Sequence, residues 1–401
     1  MSSGKQNQDP TEAFLDAAQR LTQSQDTMSE DDRAKVLLKL YELTAKVESP
    51  WETFMRPANA TSLKVLIDLD LFRTWRDSGK GPMTTAELAS LTGGRCEPQL
   101  LHRLLRLLAA NHLLEMTQDG KFMPTKLCIQ LADIDYGRTV QFYHDYTIRM
   151  FSHMPAFFTQ NGYENPQNNR KTVFDSTFQW EGGLFKYLQA HAGQSGVFNS
   201  SQKTSSSSQT RWTSIFPSEK LLDSDPNLPL LVDVGGSIGH DVQAFHAKHP
   251  GHGPRLYLED IPSVIADEKG SAVQGINKLA YNFFTPQPIK HARAYYMHHI
   301  LHDWPDKRAC KILEMQASAM KPGYSKLLIH DHVMSDDRPV HPHAAAFDMA
   351  MMVFGAAQER TEKEWRNLIT SAGLKLVKIW RLLSAVESVI EVELPLGEPK
   401  I

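Results

Sequence analysis

Two N-terminal stretches place apolar residues at helical spacing. In residues 13–21, Phe14, Leu15, Ala18 and Leu21 share one stripe, and in residues 34–47, Val36, Leu37, Leu40, Leu43 and Thr44 do the same. Both predict amphipathic helices that carry no chemistry, of the kind that clasps a partner subunit. Residues up to about Lys5 show no such pattern and are expected to be disordered.

Residues 60–125 form a clearer unit. A helix is predicted over 62–71, a second opens at Thr84-Thr85-Ala86-Glu87 with a threonine placed to cap it, and PQLLHRLLRLLAA over 98–110 is a third. Two short strands, 112–116 and 121–124, follow around the turn Gln118-Asp119-Gly120. The pattern is that of a winged helix. Such a unit can bind DNA, here through His102, Arg103 and Arg106, or serve as a dimerisation scaffold.

From 133 to 200 aromatic and methionine positions crowd together: Phe142, Tyr143, Tyr146, Met150, Phe151, Met154, Phe157 and Phe158, beside His144 and His153. Core packing is their ordinary meaning, although some could line an apolar pocket. A polar linker over 160–170 and a serine-rich stretch, Thr204 with Ser205 to Ser208, read as loops, the second as a candidate lid.

The pattern then changes to short apolar runs alternating with helical periods. Runs ending near Asp233, Asp260, Leu301 and Val333 read as strands, helices are predicted over 307–320 (capped by Asp306) and 344–355, and Thr361-Glu362-Lys363-Glu364 is a capping box opening one more. A strand pair over 374–382 and 388–394 closes the chain. Alternation of this kind implies an α/β fold with a parallel sheet, the closing pair adding an antiparallel strand.

Composition narrows the function. The 401 residues, 41% of them hydrophobic, suffice for two domains with a core in each, divided at 1–165 and 166–401. A net charge of −3 gives no general attraction to nucleic acid or to anionic membrane, which favours the dimerisation reading of the winged helix. Cys96, Cys128 and Cys310 are too scattered for a disulfide framework or a zinc cluster, and no metal is expected. No stretch has the length of a signal peptide or approaches the ~20 apolar residues of a membrane span, so a cytoplasmic protein is expected.

Chemistry concentrates in a few motifs. LPLLVDVGGSIG over 228–239 is a buried strand running into a glycine turn, where backbone can approach a ligand closely. Dinucleotide folds want glycine at n, n+2 and n+5; counted from Gly235 those positions hold Gly235, Ser237 and His240, so the nicotinamide reading fails. The run D-V-G-G-S-x-G resembles the cofactor loop of class I methyltransferases, which bind S-adenosylmethionine. Glu259-Asp260, at the end of the next strand, stands where nucleotide folds place an acid for ribose hydroxyls. HHILHDWPD supplies His298, His299, His302 and Asp303; IHDHVM supplies Asp331; AAQERTEKEW supplies Glu359. Two carboxylates that reached one imidazole would fix its tautomer and favour its protonated form.

Taken together, these motifs and the winged helix resemble the caffeate-type, plant-like O-methyltransferases, in particular fungal members of secondary metabolism, from about residue 34 to residue 395. The resemblance implies a class I methyltransferase (Rossmann-like) sheet with an N-terminal helical and winged-helix dimerisation domain. It makes His302 the catalytic base, flanked by Asp331 and Glu359, and assigns Asp233, Gly235, Gly236, Asp260, Asn282, Phe283 and His298 to the cofactor. It further implies a homodimer acting on a small molecule, an aromatic or polyketide-type phenol or enol. Two departures stand out. His298 occupies a position where relatives usually carry Lys or Arg, and the serine-rich stretch falls where they place substrate contacts.

An unperturbed phenol has a pKa near 10 and imidazole one near 6.5, so full proton transfer would be uphill by about 3.5 units, roughly 5 kcal/mol. Flanking carboxylates would narrow that gap. An alternative within the same fold keeps the cofactor as a fixed positive charge and catalyses dehydration or a pericyclic reaction without methyl transfer.

Overall fold

The computed structural model describes residues 9–168, 170–208, 210–266, 275–336 and 340–396; the expectation for the first five residues lies outside them. A small antiparallel pair, β1 (Leu114–Met116) and β2 (Phe122–Pro124), forms the wing. The main sheet holds β3 (Leu231–Val234), β4 (Leu256–Asp260), β5 (Asn277–Ala280), β6 (Ala294–His298), β7 (Lys326–His332), β8 (Lys375–Arg381) and β9 (Glu387–Glu393). Its order is β5-β4-β3-β6-β7-β9-β8; β3 to β7 pair in parallel, while β9 pairs antiparallel with both β7 and β8. The strand order reverses between β3 and β6, and in such sheets a crevice opens there beyond the carboxyl ends of the strands.

Side-chain alternation sorts the sheet into two buried faces. Val232, Val234, Tyr295, Met297, Ile329 and Ile390 pack with Ile312 and Leu313 of the helix Asp306–Ala317 and Trp365 of the helix Glu362–Ser371. Leu231, Leu258, Ala294, Tyr296, Leu328 and Val389 turn the other way, onto Trp212 and onto Val242 and Phe245 of the helix His240–Lys248. Each such side chain contributes about 1.5–3 kcal/mol by leaving water. The central strands are therefore the rigid part of the fold, and their ends are where side chains can be held accurately.

The winged helix forms as expected, with Thr84 capping its helix through a capping box with Glu87 and Pro98–Ala110 as its longest helix. His102 is turned inward: its Nδ1 lies 3.1 Å from Thr85 Oγ1 and its ring packs edge-on against Phe122. The helices Pro10–Gln23 and Glu30–Val47 also form, and neither buries a single residue within the chain.

Several expectations are corrected. The serine-rich stretch is the end of a helix, Ala192–Ser208, rather than a loop, because it docks on the helix Ile134–Phe142: Ser200 Oγ donates to Asp135 Oδ1 at 2.7 Å, and Lys203 pairs with the same carboxylate. Asp306 is the first residue of its helix, with Pro305 at the cap position. β6 stops at His298, short of the predicted 301. The half-exposed strand β5 has too little apolar pattern to be seen in sequence. The core reading of the aromatic stretch does hold: Phe142, Tyr146, Met150 and Phe157 are core residues, packed with Phe174, Leu188 and Val353. That cluster draws on both sides of the expected boundary at 165, so the helical layer is shared between the two parts of the chain.

Candidate active site

β3 ends at Val234 and the chain turns through Gly235, whose φ of +73° lies in the left-handed region. A Cβ on Gly235 would lie 2.6 Å from Ile300 Cδ1, and one on Gly236 would lie 2.5 Å from the Asp233 carboxylate. Gly235 is held to glycine by its φ as well as by space, and a side chain at Gly236 would displace the Asp233 carboxylate. Both amides donate to the Glu259 carbonyl, at 2.8 and 3.1 Å, which fixes the turn to the end of β4.

The two acids at that strand end divide. Glu259 points into the core, where Gln287 Nε2 donates to it at 2.8 Å and burial pushes its carboxyl up to about 7. Asp260 faces the turn instead, accepting the amides of Ser237 (2.8 Å) and Ile261 (2.7 Å). Asp233 accepts the Val242 amide on Oδ2, while its Oδ1 is buried without a partner. Burial and the charge of Asp241 push the Asp233 carboxyl well up, so Asp241 and Asp260 carry the negative charge around the glycine turn; acids placed there disfavour a pyrophosphate and suit a cationic ligand with hydroxyl donors, which fits S-adenosylmethionine. Phe283 belongs to this turn, its Cε1 lying 3.8 Å from the position of a Gly235 Cβ. Asn282 spends its side-chain oxygen on the Phe284 amide, at 3.1 Å. His298 also lies here, its Nδ1 2.7 Å from Asp241 Oδ2, an acid that the sequence reading missed.

His302 sits in the short 3-10 turn Leu301–Asp303 that follows β6, one residue beyond Leu301 and two beyond Ile300, whose side chain covers Gly235. Its backbone is held by a buried cation. Arg360, with no exposed surface, donates to the carbonyls of Leu301 (2.9 Å) and Trp304 (2.7 Å) and to Asp306. The Gln358 amide donates to the His302 carbonyl at 3.1 Å, so the segment carrying Glu359 is tied to the turn carrying the imidazole.

The ring itself meets both expected acids. Nδ1 lies 2.7 Å from Glu359 Oε1 and 3.4 Å from Asp331 Oδ1, and all three groups are buried. Asp331 comes from β7 and Glu359 from the loop before the helix Glu362–Ser371. Glu359 is in turn oriented by its own amide, which donates to Asp348 Oδ1 at 2.8 Å, and its second oxygen lies 3.4 Å from His332 Nδ1. Phe347 covers the group, its ring centroid 6.1 Å from that of His302 and 4.9 Å from that of His332.

Burial by itself would depress the His302 imidazole, but the charges of Glu359, Asp331 and Asp303 outweigh it and carry the ring up to about 10. Burial raises the Asp331 carboxyl to about 7 against the pull of His302. For Glu359 burial acts in the same sense and loses, because the charge and hydrogen bond of His302 hold it well below the usual carboxylate range. Glu359 is thus the standing anion of the group, and Asp331 an acid that titrates near neutrality.

Two domain profiles match the chain: an O-methyltransferase domain over residues 161–375 and an O-methyltransferase dimerisation domain over 51–132. O-methyltransferase mfmE of Annulohypoxylon moriforme is 46% identical over 376 residues, 92% of this chain and 92% of that protein. A solved structure described as LepI in complex with SAM superposes with a TM-score of 0.86 at 26% identity, over 96% of this chain and 100% of that one. Another, described as a pericyclic reaction enzyme, gives a TM-score of 0.85 at 26% identity, again over 96% and 100%.

Proposed function

The chain belongs to the S-adenosylmethionine-dependent O-methyltransferase family, and from that premise we propose that it methylates a phenol or enol hydroxyl of a small aromatic or polyketide-type secondary metabolite, with His302 as general base. The observation that carries this reading is the 2.7 Å contact between His302 Nδ1 and Glu359 Oε1. It occupies Nδ1 and leaves Nε2 to receive the substrate proton.

When bound, S-adenosylmethionine supplies a methyl group on a sulfonium, an electrophile that needs only an oriented oxygen. Gly235 and Gly236 would admit it against the backbone, Asp260 would take its ribose hydroxyls, Asn282, Phe283 and His298 would border its adenine, and Asp233 would complete the cradle. Glu359 and Asp331 would flank the base. With His302 near 10, the roughly 5 kcal/mol penalty for taking a proton from a phenol falls close to zero. The same shift leaves the ring protonated in the free enzyme at neutral pH. Reaction therefore runs through the state in which His302 and the substrate hydroxyl share one proton, reached as phenol with imidazole or as phenolate with imidazolium.

In this reading the enzyme acts in the cytoplasm as a homodimer formed by the N-terminal domain, 1–165, with the catalytic domain over 166–401. The support is an apolar surface with no cover among the described residues: Trp51 is 72% exposed and Phe54 73% exposed, on a helix that buries nothing. Neither nucleic acid nor membrane enters, and among the described residues no helix is long and apolar enough to cross a membrane.

The likeness to the pericyclic reaction enzyme supports one second reading, in which the cofactor is retained as a charge and no methyl moves. Incubation with methyl-labelled S-adenosylmethionine and a panel of phenolic and enolic metabolites separates the two. Label in a product supports methylation; turnover of a substrate with no label transferred overturns it.

A further inference from the structure

Beside the His302 group lies a second cluster, of which the proposed methyl transfer uses only His298, at the border of the cofactor. His298 and His299 follow one another at the end of β6, His330 projects from β7 beside it, and Glu387 opens β9. Glu387 Oε1 lies 2.6 Å from His299 Nε2, while Oε2 lies 3.6 Å from His298 Nε2 and 3.3 Å from His330 Nε2. His330 and Glu387 are almost completely buried.

Close as they are, these groups meet without well-aligned hydrogen bonds. The Nε2 atoms of His298, His299 and His330 and the Oε1 of Glu387 are all buried without a hydrogen-bond partner. At 2.6 Å the His299 nitrogen and the Glu387 oxygen could bond, so the direction of the ring nitrogen must miss the oxygen. Buried polar atoms left this way are costly, and a cation held between the imidazole edges and the carboxylate would satisfy them together.

The far sides of two of these rings are already occupied. His298 Nδ1 lies 2.7 Å from Asp241 Oδ2, and His330 Nδ1 lies 2.8 Å from the Tyr296 hydroxyl. A carboxylate taking the Nδ1–H of a histidine, leaving the Nε2 lone pair facing inward, is how metal-ligating imidazoles are oriented. The spacing is within reach of an ion. Ligand atoms of His298, His299 and Glu387 all lie within 4.8 Å of one another, and bonds of about 2.0–2.1 Å to a tetrahedral ion place ligands about 3.3 Å apart, so His299 and Glu387 would separate slightly to admit it.

We propose that His298, His299 and Glu387 form a binding site for a zinc-class divalent transition metal, with an open position for water. Imidazole nitrogen with one carboxylate suits Zn²⁺ and its neighbours, whereas Mg²⁺ and Ca²⁺ favour all-oxygen shells. The ion would cross-tie the ends of β6 and β9 next to the glycine turn, as a structural centre separate from the His302 group.

The full-length protein, stripped with a chelator and passed into metal-free buffer, is titrated with Zn²⁺ by calorimetry and with Co²⁺ by visible absorption. One equivalent is expected, with the intense bands of tetrahedral Co²⁺. Glu387→Gln and His299→Gln should each weaken binding at least a hundredfold. Asp241→Asn, which acts only through His298, should weaken it roughly ten- to a hundredfold. His302→Ala should keep the equivalent. Failure of the unmutated protein to bind Zn²⁺ overturns the proposal without reference to any variant. Undiminished binding by folded Glu387→Gln and His299→Gln, or loss of the ion in His302→Ala instead, does the same, because each places the ion elsewhere. Circular dichroism and S-adenosylhomocysteine binding identify which variants are folded.

Discussion

Glu359 and Glu387 are both buried glutamates facing imidazoles at the carboxyl edge of the same sheet, yet their geometries differ in kind. Glu359 meets His302 Nδ1 in an aligned hydrogen bond of 2.7 Å, and one proton satisfies both groups. Glu387 has three imidazole nitrogens within 3.6 Å and an aligned bond to none of them. The rings of His299 and His302 stack at 4.8 Å, so the two clusters nearly touch. What separates them is the particle each is built around: a mobile proton in one, a fixed cation in the other.

That contrast is sharpened first by removing the base. His302→Ala should lower turnover by about two to four orders of magnitude, the range associated with a general base, while cofactor affinity measured by calorimetry persists. Unchanged turnover would remove His302 from its role.

The next largest effect should come from Glu359→Gln. If its charge supplies about one to two pKa units to His302, turnover on the plateau at high pH falls by up to about ten- to a hundredfold, since one unit corresponds to about 1.4 kcal/mol, whereas near neutrality the larger share of deprotonated ring offsets the weaker base. The pH profile separates this from a purely structural loss. With His302 near 10, kcat/KM at saturating cofactor should rise about tenfold per pH unit above neutrality and level off near 10, because the reactive state has lost one of two protons. In Glu359→Gln the break should move to lower pH; a break that stays in place would show that the acid does not tune the base.

The smallest effect should be that of Asp331→Asn. Its oxygen lies 3.4 Å from the imidazole, compared with 2.7 Å for Glu359, and its carboxyl titrates near 7. Below that pH it is already neutral and the substitution should change turnover only a few-fold; above it the carboxylate is lost and the deficit should widen. Rates at pH 6 and pH 9 test the difference.

Much of the frame was legible along the chain. β3 and β7 announce themselves as apolar runs, and Thr84 and Thr361 each open a capping box whose two halves lie three residues apart. Local signals of this kind survive folding because the interactions behind them are local. The serine-rich stretch was misread for the opposite reason: serines are indifferent helix formers, and the helix they end is tied one turn earlier to a distant aspartate, Asp135, through Ser200 and Lys203.

The sites divide along the same line. HHILHDWPD displays His302, yet Arg360, which holds that turn from a position 58 residues later, gives no periodic or motif signal of its own. Asp241 and Glu387 were missed because each is an ordinary acid at the start of a helix or strand, and only their partners give them meaning.

The sequence by itself determined the α/β alternation, the winged helix, the glycine turn and which imidazole and acids would be at issue, since each is written in spacings of a few residues. Only the tertiary structure decided which carboxylate bonds which ring. Burial and alignment are set by strands and loops that meet across the sheet from 57 or more residues apart, and direction at the 1 Å scale, which separates a hydrogen bond from a cage of donors, has no counterpart in the order of residues.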